Sequence, residues 1–124
     1  MLRFRWMTTL LAFALCADLA GAQTQATWPQ KPIRIVVPFA AGGNTDSIAR
    51  VIAERFTQSL GQAVVVENKV GAGGAIAAEF VAKAPADGYT LMMGTNTATV
   101  AVPALRSPPP YDPFKVFTPL STAG

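Results

Sequence analysis

The sequence predicts an α/β fold with a parallel sheet, built as strand, helix, strand, helix, strand (βαβαβ). Three short apolar runs lie between residues 32 and 94. Two stretches with a helical spacing of apolar residues separate these runs, and glycine or proline marks most of the junctions. Alternation of this kind is typical of right-handed βαβ units, in which the strands run parallel and the helices cover the sheet.

The three predicted strands cover residues 32–38, 63–67 and 89–94. The first, PIRIVVP, is apolar at nearly every position, and Arg34 is its only charged residue. Continuous apolar character suits a strand that is covered on both faces, as in a parallel sheet. The second and third runs, AVVVE and YTLMMG, have the same character.

The first predicted helix begins after the glycine pair at positions 42 and 43. Its apolar side chains recur three or four positions apart, which places them on one face of a helix. They are Ile48, Val51, Ile52, Phe56 and Leu60. Thr45 or Asp46 is expected to cap the first turn, and Gly61 is the expected C-terminal glycine.

The elements that follow are shorter. Residues 75–84 predict a second helix with a narrow apolar face that Ile76 and Phe80 define. Residues 95–105 predict a short helix of small residues, stopped by the proline within it. A fourth strand is expected around residues 117–121.

The first 22 residues are typical of a secretory signal peptide. Arg3 and Arg5 form a basic start, residues 7–17 are apolar, and a small-residue cleavage pattern ends at Ala22. The alternative is an uncleaved membrane anchor, which the short apolar run and its flanks disfavour. We expect cleavage near Ala22 and export to the periplasm.

After this leader we expect a tail over residues 23–31 and one partial domain over residues 32–124. The mature part has no cysteine, because Cys16 lies in the leader, and the whole chain has no histidine. Disulfides, Cys or His nucleophiles and Cys/His zinc sites are therefore excluded, which fits a bacterial periplasm. The leader holds net +1 of the chain's net charge of +3. The remaining +2 forms no basic block and predicts no nucleic-acid partner.

Three loops follow the carboxyl ends of the predicted strands, where open α/β sheets bind their ligands. They cover residues 39–46, 68–74 and 94–97 and are rich in glycine and hydroxylated residues. Two of them precede helix N-termini, where free N–H groups and the helix dipole favour an anion. We therefore predict that backbone amides bind a small anion here. The candidate ligand contacts are Phe39, Gly42, Gly43, Thr45, Asp46, Gly73, Gly74, Thr95 and Asn96.

Other interpretations of these loops stay open. The glycines can serve only as tight βα turns, and Lys69 is either a charge for the ligand or a solvated loop residue. Residues 71–76, GAGGAI, begin like a dinucleotide fingerprint, but Ile76 replaces the last glycine and no Walker pattern is present. We predict no catalytic residue, no metal ligand and no cofactor.

Several segments together resemble one known family. In chain order they are WP at 28–29, KPI at 31–33, VPFAAGG at 37–43 with Asp46, VVEN at 65–68, GAGG at 71–74, PADGYTL at 85–91 and YDP at 111–113. Their order and spacing resemble the Bug/TctC family, the periplasmic solute receptors of tripartite tricarboxylate transporters. Two departures stand out: Ala41 occupies a position where many members have proline, and residues 102–106 replace a common Asn-Pro-x-Leu-Tyr stretch.

The resemblance implies the first lobe of a two-domain Venus flytrap, with residues 39–46 and the loop after Gly94 lining the cleft. It implies a small organic acid as ligand, membrane permease subunits as partners, and no enzymatic activity. We also expect a monomer. Because family members are much longer, we expect a truncated copy without the second lobe. The alternatives are a non-functional, partly unfolded fragment with an exposed apolar edge, and an exported nucleotide-binding enzyme of Rossmann type.

Overall fold

The computed structural model describes residues 27–123, so the predicted leader and most of the predicted tail lie outside the described residues. In chain order the elements are β1 (Ile33–Val37), α1 (Asn44–Leu60), β2 (Val64–Asn68), a 3₁₀ turn (Ala72–Gly74), α2 (Ala75–Ala82), β3 (Thr90–Met92), a π-helical turn (Thr97–Ala101), α3 (Val102–Leu105) and α4 (Pro113–Val116). None of the helices described between residues 27 and 123 has the length and apolar character needed to span a bilayer.

Strand β1 is the centre of a parallel sheet with the order β2-β1-β3. Val37 lies opposite Asn68 at the end of the β2 pairing, and Ile35 lies opposite Leu91 in the β3 pairing. The central place of β1 explains its apolar sequence, since every residue of the strand except Arg34 is buried. The predicted α/β fold with a parallel βαβαβ sheet is confirmed.

Helices cover both faces of this sheet. Helix α1 packs on one face, where Ile35 and Val37 of β1 meet Ala49 and Ala53 in one buried cluster. Helix α2 and the C-terminal segment form a second cluster, whose buried members are Ala75, Ala78, Val102 and Tyr111. The hydroxyl of Tyr111 donates a hydrogen bond to the carbonyl of Ala98, which attaches the C-terminal segment to the π-helical turn.

The predicted helix faces are only partly right. Ile52 packs against the α1 cluster as expected, but Val51 is 60% exposed and Phe56 38% exposed. In α2, Ile76 is 51% exposed, while the alanines at 75, 77 and 78 are buried. Small side chains let a helix backbone approach the sheet closely, so the contact line follows alanine and the larger residues flank it.

The C-terminal prediction of a fourth strand is wrong. Residues 117–121 follow α4 without joining the sheet. The carboxylate of Asp112 accepts a hydrogen bond from the Phe114 amide at 3.1 Å, and Pro113 occupies the first turn, so this segment begins a short helix. The proline expected to stop the preceding helix, Pro103, lies inside the first turn of α3, where its missing N–H is tolerated.

The described end of the predicted tail is fixed to the turn before β3. The ring of Trp28 lies 5.8 Å from that of Tyr89, and the Gln30 amide donates to the Tyr89 hydroxyl at 2.9 Å. Lys31 Nζ pairs with Asp87 Oδ2 at 3.3 Å. These contacts place the chain at the amino end of β1.

Candidate functional site

The loops that leave the carboxyl ends of β1, β2 and β3 lie together at one edge of the sheet. They are loop 1 (residues 38–43), loop 2 (residues 69–74) and loop 3 (residues 93–96). Gly74 shows how closely loop 2 meets loop 1 and the π-helical turn that follows loop 3: a Cβ added there would lie 2.9 Å from the Cβ of Ala98 and 3.1 Å from that of Pro38. The structure therefore brings the three loops together, as the parallel topology predicts.

Asp46, in the first turn of α1, forms a hydrogen bond with the end of loop 1. Its side chain is buried, with the residue only 2% exposed. Oδ2 accepts hydrogen bonds from the Gly42 amide at 2.8 Å and from Arg50 Nε at 2.9 Å. Oδ1 accepts one from Asn68 Nδ2 at 3.0 Å. Both oxygens of this carboxylate thus have partners within the protein.

The observed cap of α1 lies two or three residues before the predicted one. The N-cap position is Gly43, which has extended backbone angles and no capping side chain. Neither Thr45 nor Asp46 occupies it. Asp46 instead reaches back from the third helical position to the amide of Gly42, the residue before the N-cap. Its negative charge also suits the positive end of the helix dipole.

These hydrogen bonds explain the ionisation of Asp46. The bond from the Arg50 guanidinium, followed by those from the Gly42 amide and Asn68, holds the pKa of the Asp46 carboxyl well below its usual range, against the opposing effect of burial. The same pair raises the pKa of Arg50. The carboxylate is therefore ionised at neutral pH and holds loop 1 through the Gly42 amide.

This lowered pKa predicts an acid-sensitive fold. Asp46 has a lower pKa in the folded than in the unfolded chain, so its stabilising effect is complete above the ordinary pKa of about 3.9 and is lost as the pH falls through the folded value. We expect the thermal midpoint of the wild type to fall below about pH 4 and that of Asp46→Asn to change less over the same range. Circular dichroism melts between about pH 2 and 7 measure this.

The control for that experiment is Glu54→Gln, which alters an exposed carboxylate on the same helix. Its acid profile should follow the wild type. Parallel profiles for Asp46→Asn and the wild type would contradict the assignment of Asp46 as the acid-sensitive group.

Asn68, the last residue of β2, contacts loop 1 and is absent from the ligand contacts that the sequence predicts. Its Nδ2 donates to the carbonyl of Phe39 at 2.9 Å and to Asp46 Oδ1 at 3.0 Å. Its Oδ1 accepts a long hydrogen bond from Arg50 Nη2 at 3.4 Å. The signal available in the sequence was a polar residue at the end of β2. That strand neighbours β1, so its last residue lies next to the start of loop 1.

Lys69 does not serve as a free charge in loop 2. Its Nζ pairs with Glu67 Oε1 at 2.7 Å and lies 4.1 Å from the centre of the Phe80 ring. Arg34 pairs with the other oxygen of Glu67 at 3.2 Å. The pKa of Glu67 is lowered, mainly by the hydrogen bond from Lys69. Lys69 is therefore part of a structural ion-pair cluster.

The first turn of α1 presents backbone amides without protein acceptors. Within residues 27–123, the amides of Gly43, Asn44, Thr45 and Asp46 have no acceptor in the protein, and no side chain caps the helix. The Gly42 amide is different, because Asp46 already accepts its hydrogen bond. The available donors therefore begin one residue later than the first glycine of the pair.

The other predicted contacts lie at the same edge. Phe39 is half-buried and Asn96 is exposed. Gly73 packs against the helical residues 97–102. The hydroxyl of Thr95 accepts a long hydrogen bond of 3.5 Å from the amide of Ala98 in that helical segment. Their contact with a ligand stays a prediction.

Most of the described chain matches a known family. Residues 48–123, which begin within α1, match the model of the tripartite tricarboxylate transporter family receptor, TctC. The chain belongs to the TctC family. The resemblance drawn from the sequence motifs is thereby confirmed.

Three relatives illustrate this TctC membership. The BugT protein of Bordetella pertussis is 43% identical over 123 residues, which cover 95% of this chain and 38% of BugT. MatC of Rhodopseudomonas palustris, solved with bound malate, is 44% identical with a TM-score of 0.63, covering 74% of this chain and 31% of MatC. An R. palustris protein solved with adipate is 50% identical with a TM-score of 0.52, covering 53% of this chain and 22% of its own.

This TctC chain spans about a third of the length of the curated relatives it matches. Residues 102–106, which replace the common Asn-Pro-x-Leu-Tyr stretch, are partly buried and partly exposed. Val102 is buried in the second cluster, and Arg106 Nη2 lies 3.4 Å from the carbonyl of Ala72 in loop 2. Leu105 is 85% exposed. The segment thus still contacts loop 2 through Arg106.

Proposed function

We propose that this chain is the first lobe of a periplasmic receptor that binds a small organic acid for a tripartite tricarboxylate transporter. The observation that carries the proposal is the set of unpartnered amides at Gly43, Asn44 and Thr45, beside the two other loops. These amides stand at the N-terminus of a 17-residue helix, where the dipole adds a positive potential. A carboxylate is the simplest group that satisfies them.

The charges around this edge support recognition by amides. Arg50 bonds to Asp46 and Asn68, and Lys69 bonds to Glu67. Because these cations already have carboxylate partners, the main chain supplies the donors for a ligand. The chemistry proposed here is binding without catalysis, and it requires no cofactor.

The two neighbours named with ligands support a carboxylate. One was solved with malate and the other with adipate, and both molecules carry two carboxylates. For this chain we propose a ligand of that class, without nucleic acid. We further propose a monomer that is exported through the leader at residues 1–22, cleaved near Ala22, and that docks on the permease subunits. One lobe supplies half of a cleft, so we expect weak binding by this chain.

Nuclear magnetic resonance tests the proposal on the ¹⁵N-labelled chain. Titration with adipate or malate should shift the amide signals of loops 1, 2 and 3 in a saturable manner, with a dissociation constant of about 1 mM or weaker. Adipamide, the uncharged diamide of adipate, is the matched control ligand and should cause no such shifts. A folded chain that responds to neither acid, or responds equally to adipamide, would exclude the proposed function.

A backbone variant sharpens this test. Asn44→Pro removes one of these unpartnered amides and keeps the helix, because proline is favoured at the first helical position and Gly43 already has the extended conformation that precedes proline. Asn44→Ala removes the same side chain and keeps the amide. We expect adipate to bind several-fold more weakly to Asn44→Pro than to Asn44→Ala.

A further inference from the structure

We propose that Asn68 is a positioning residue that holds loop 1 in its ligand-binding shape and couples it to loop 2. The inference rests on the proposed function, since it concerns the same amides. It assigns a role to a side chain at the end of β2 that lies outside the predicted ligand contacts.

Loop 1 is held at both ends by one connected set of hydrogen bonds. At its start, the carbonyl of Phe39 accepts from Asn68 Nδ2 at 2.9 Å. At its end, the amide of Gly42 donates to Asp46 Oδ2 at 2.8 Å. The two anchoring side chains are joined to each other, because Asn68 Nδ2 also donates to Asp46 Oδ1 at 3.0 Å. The exposed residues 40–41 lie between these fixed points.

Only an amide of this length satisfies all three partners. The NH₂ group of Asn68 supplies two donors, one for Phe39 and one for Asp46, and its oxygen faces Arg50. An ionised aspartate could not donate, and a serine is too short to reach the same atoms. An apolar residue would leave the buried oxygen of Asp46 without its partner from β2, which costs stability.

The sheet gives Asn68 a fixed starting point. Its Cα is paired with Val37 in the β1–β2 register, and the next amide, that of Lys69, donates to the Val37 carbonyl at 2.8 Å. The side chain therefore transmits the position of the rigid strand ends to loop 1. The unpartnered amides at Gly43 and Thr45 lie between the anchored Gly42 and Asp46, so their direction depends on this anchor.

Amide hydrogen exchange on the full chain tests the anchor without a ligand. In Asn68→Ala the Gly42 amide should exchange about tenfold faster relative to the Val36 amide, which reports opening of the central strand. Gln62→Ala, which changes an amide side chain before the other end of β2, is the control and should leave that ratio unchanged. If Asn68→Ala does not fold, Asn68→Ser replaces it with the same expected direction.

A double-mutant cycle separates positioning from general stability. Asp46→Asn should also accelerate exchange at Gly42, and the double variant should be accelerated by less than the product of the two single effects, because both residues hold the same loop. Effects that multiply independently, or a Gly42 rate that follows Val36 in every variant, would overturn the proposal.

The binding arm uses adipate and malate as probes. If Asn68 positions the amides, Asn68→Ala should weaken adipate binding several-fold relative to Gln62→Ala. A wild type that is folded but binds neither acid would contradict the proposed function. The ratio of the Gly42 to the Val36 exchange rate would then still test whether Asn68 anchors loop 1. If Asn68→Ala changes neither adipate binding nor the ratio of the Gly42 to the Val36 exchange rate, the positioning role of Asn68 is contradicted and the proposed receptor function is not.

Discussion

Replacement of Gly74 by alanine should lower the free energy of unfolding by about 2–4 kcal/mol. The residue is buried and its φ of 93° lies in the left-handed region, which costs a residue with a Cβ about 1–2 kcal/mol. The added methyl group would also lie 2.9 Å from the Cβ of Ala98 and 3.1 Å from that of Pro38. Both neighbours are anchored by backbone structure, so relief requires one of the loops to move.

Gly61→Ala is the matched control for this substitution. Gly61 also has a positive φ, 67°, but no atom lies within 4 Å of the position that a Cβ would occupy there. It should therefore lose only the conformational part, about 1 kcal/mol. Urea denaturation of both variants, followed by circular dichroism, gives the difference. Equal losses in the two variants would show that Gly74 is not the packing point of the three loops.

The sheet and the meeting of its loops could be predicted from the sequence because both follow from simple rules. An apolar run such as residues 33–37 is typical of a strand that is buried on both faces of a parallel sheet. Once the strands are parallel and adjacent, their carboxyl ends share one edge. The proximity of Gly74 to Pro38 can therefore be predicted from the strand topology, without knowledge of the side-chain contacts.

The helix faces could not be predicted as well because hydrophobicity and burial diverge for small residues. Val51 and Phe56 belong to the predicted apolar face of α1 and are exposed, whereas Ala49 and Ala53 form the contact line with the sheet. Alanine carries little hydrophobic signal, and its value here is that it permits close approach. The shape of the sheet determines whether the alanine face or the face of larger apolar residues packs against it. The sequence of the helix alone does not specify that shape.

The details of the site were also beyond the sequence, since they depend on contacts between distant residues. Both glycines at 42 and 43 were predicted to offer free amides, but Gly42 is bonded to Asp46. The bond between Asn68 and Phe39 joins residues that are 29 positions apart. Such pairs become visible only when the register of β1 and β2 is known. Consequently the location of the site was predictable, and its donor set was not.

The second large effect is expected from Asn68→Asp, which replaces the side-chain amide with a carboxylate of nearly the same volume. The variant loses the two hydrogen bonds that Asn68 Nδ2 donates, worth about 1 kcal/mol each. It also places a second carboxylate where Nδ2 now lies 3.0 Å from Asp46 Oδ1. Arg50 offsets part of the repulsion, but its long contact of 3.4 Å to Asn68 is weaker than its bond to Asp46. We expect a loss of more than about 2 kcal/mol at pH 7.

The repulsive part of this loss should disappear in mild acid. Two close carboxylates raise the pKa of one of them in the folded chain, so the variant is penalised above that pKa and regains stability as the pH falls below it towards the unfolded value. A protonated carboxyl group can then donate to Asp46 in place of the lost amide. Urea denaturation at pH 7 and at about pH 5 measures the recovery, with Gln62→Glu as the charge-matched control. A deficit that is the same at both pH values would mean that the introduced group turns away from Asp46, and loop 1 would then not depend on the contact between these two side chains.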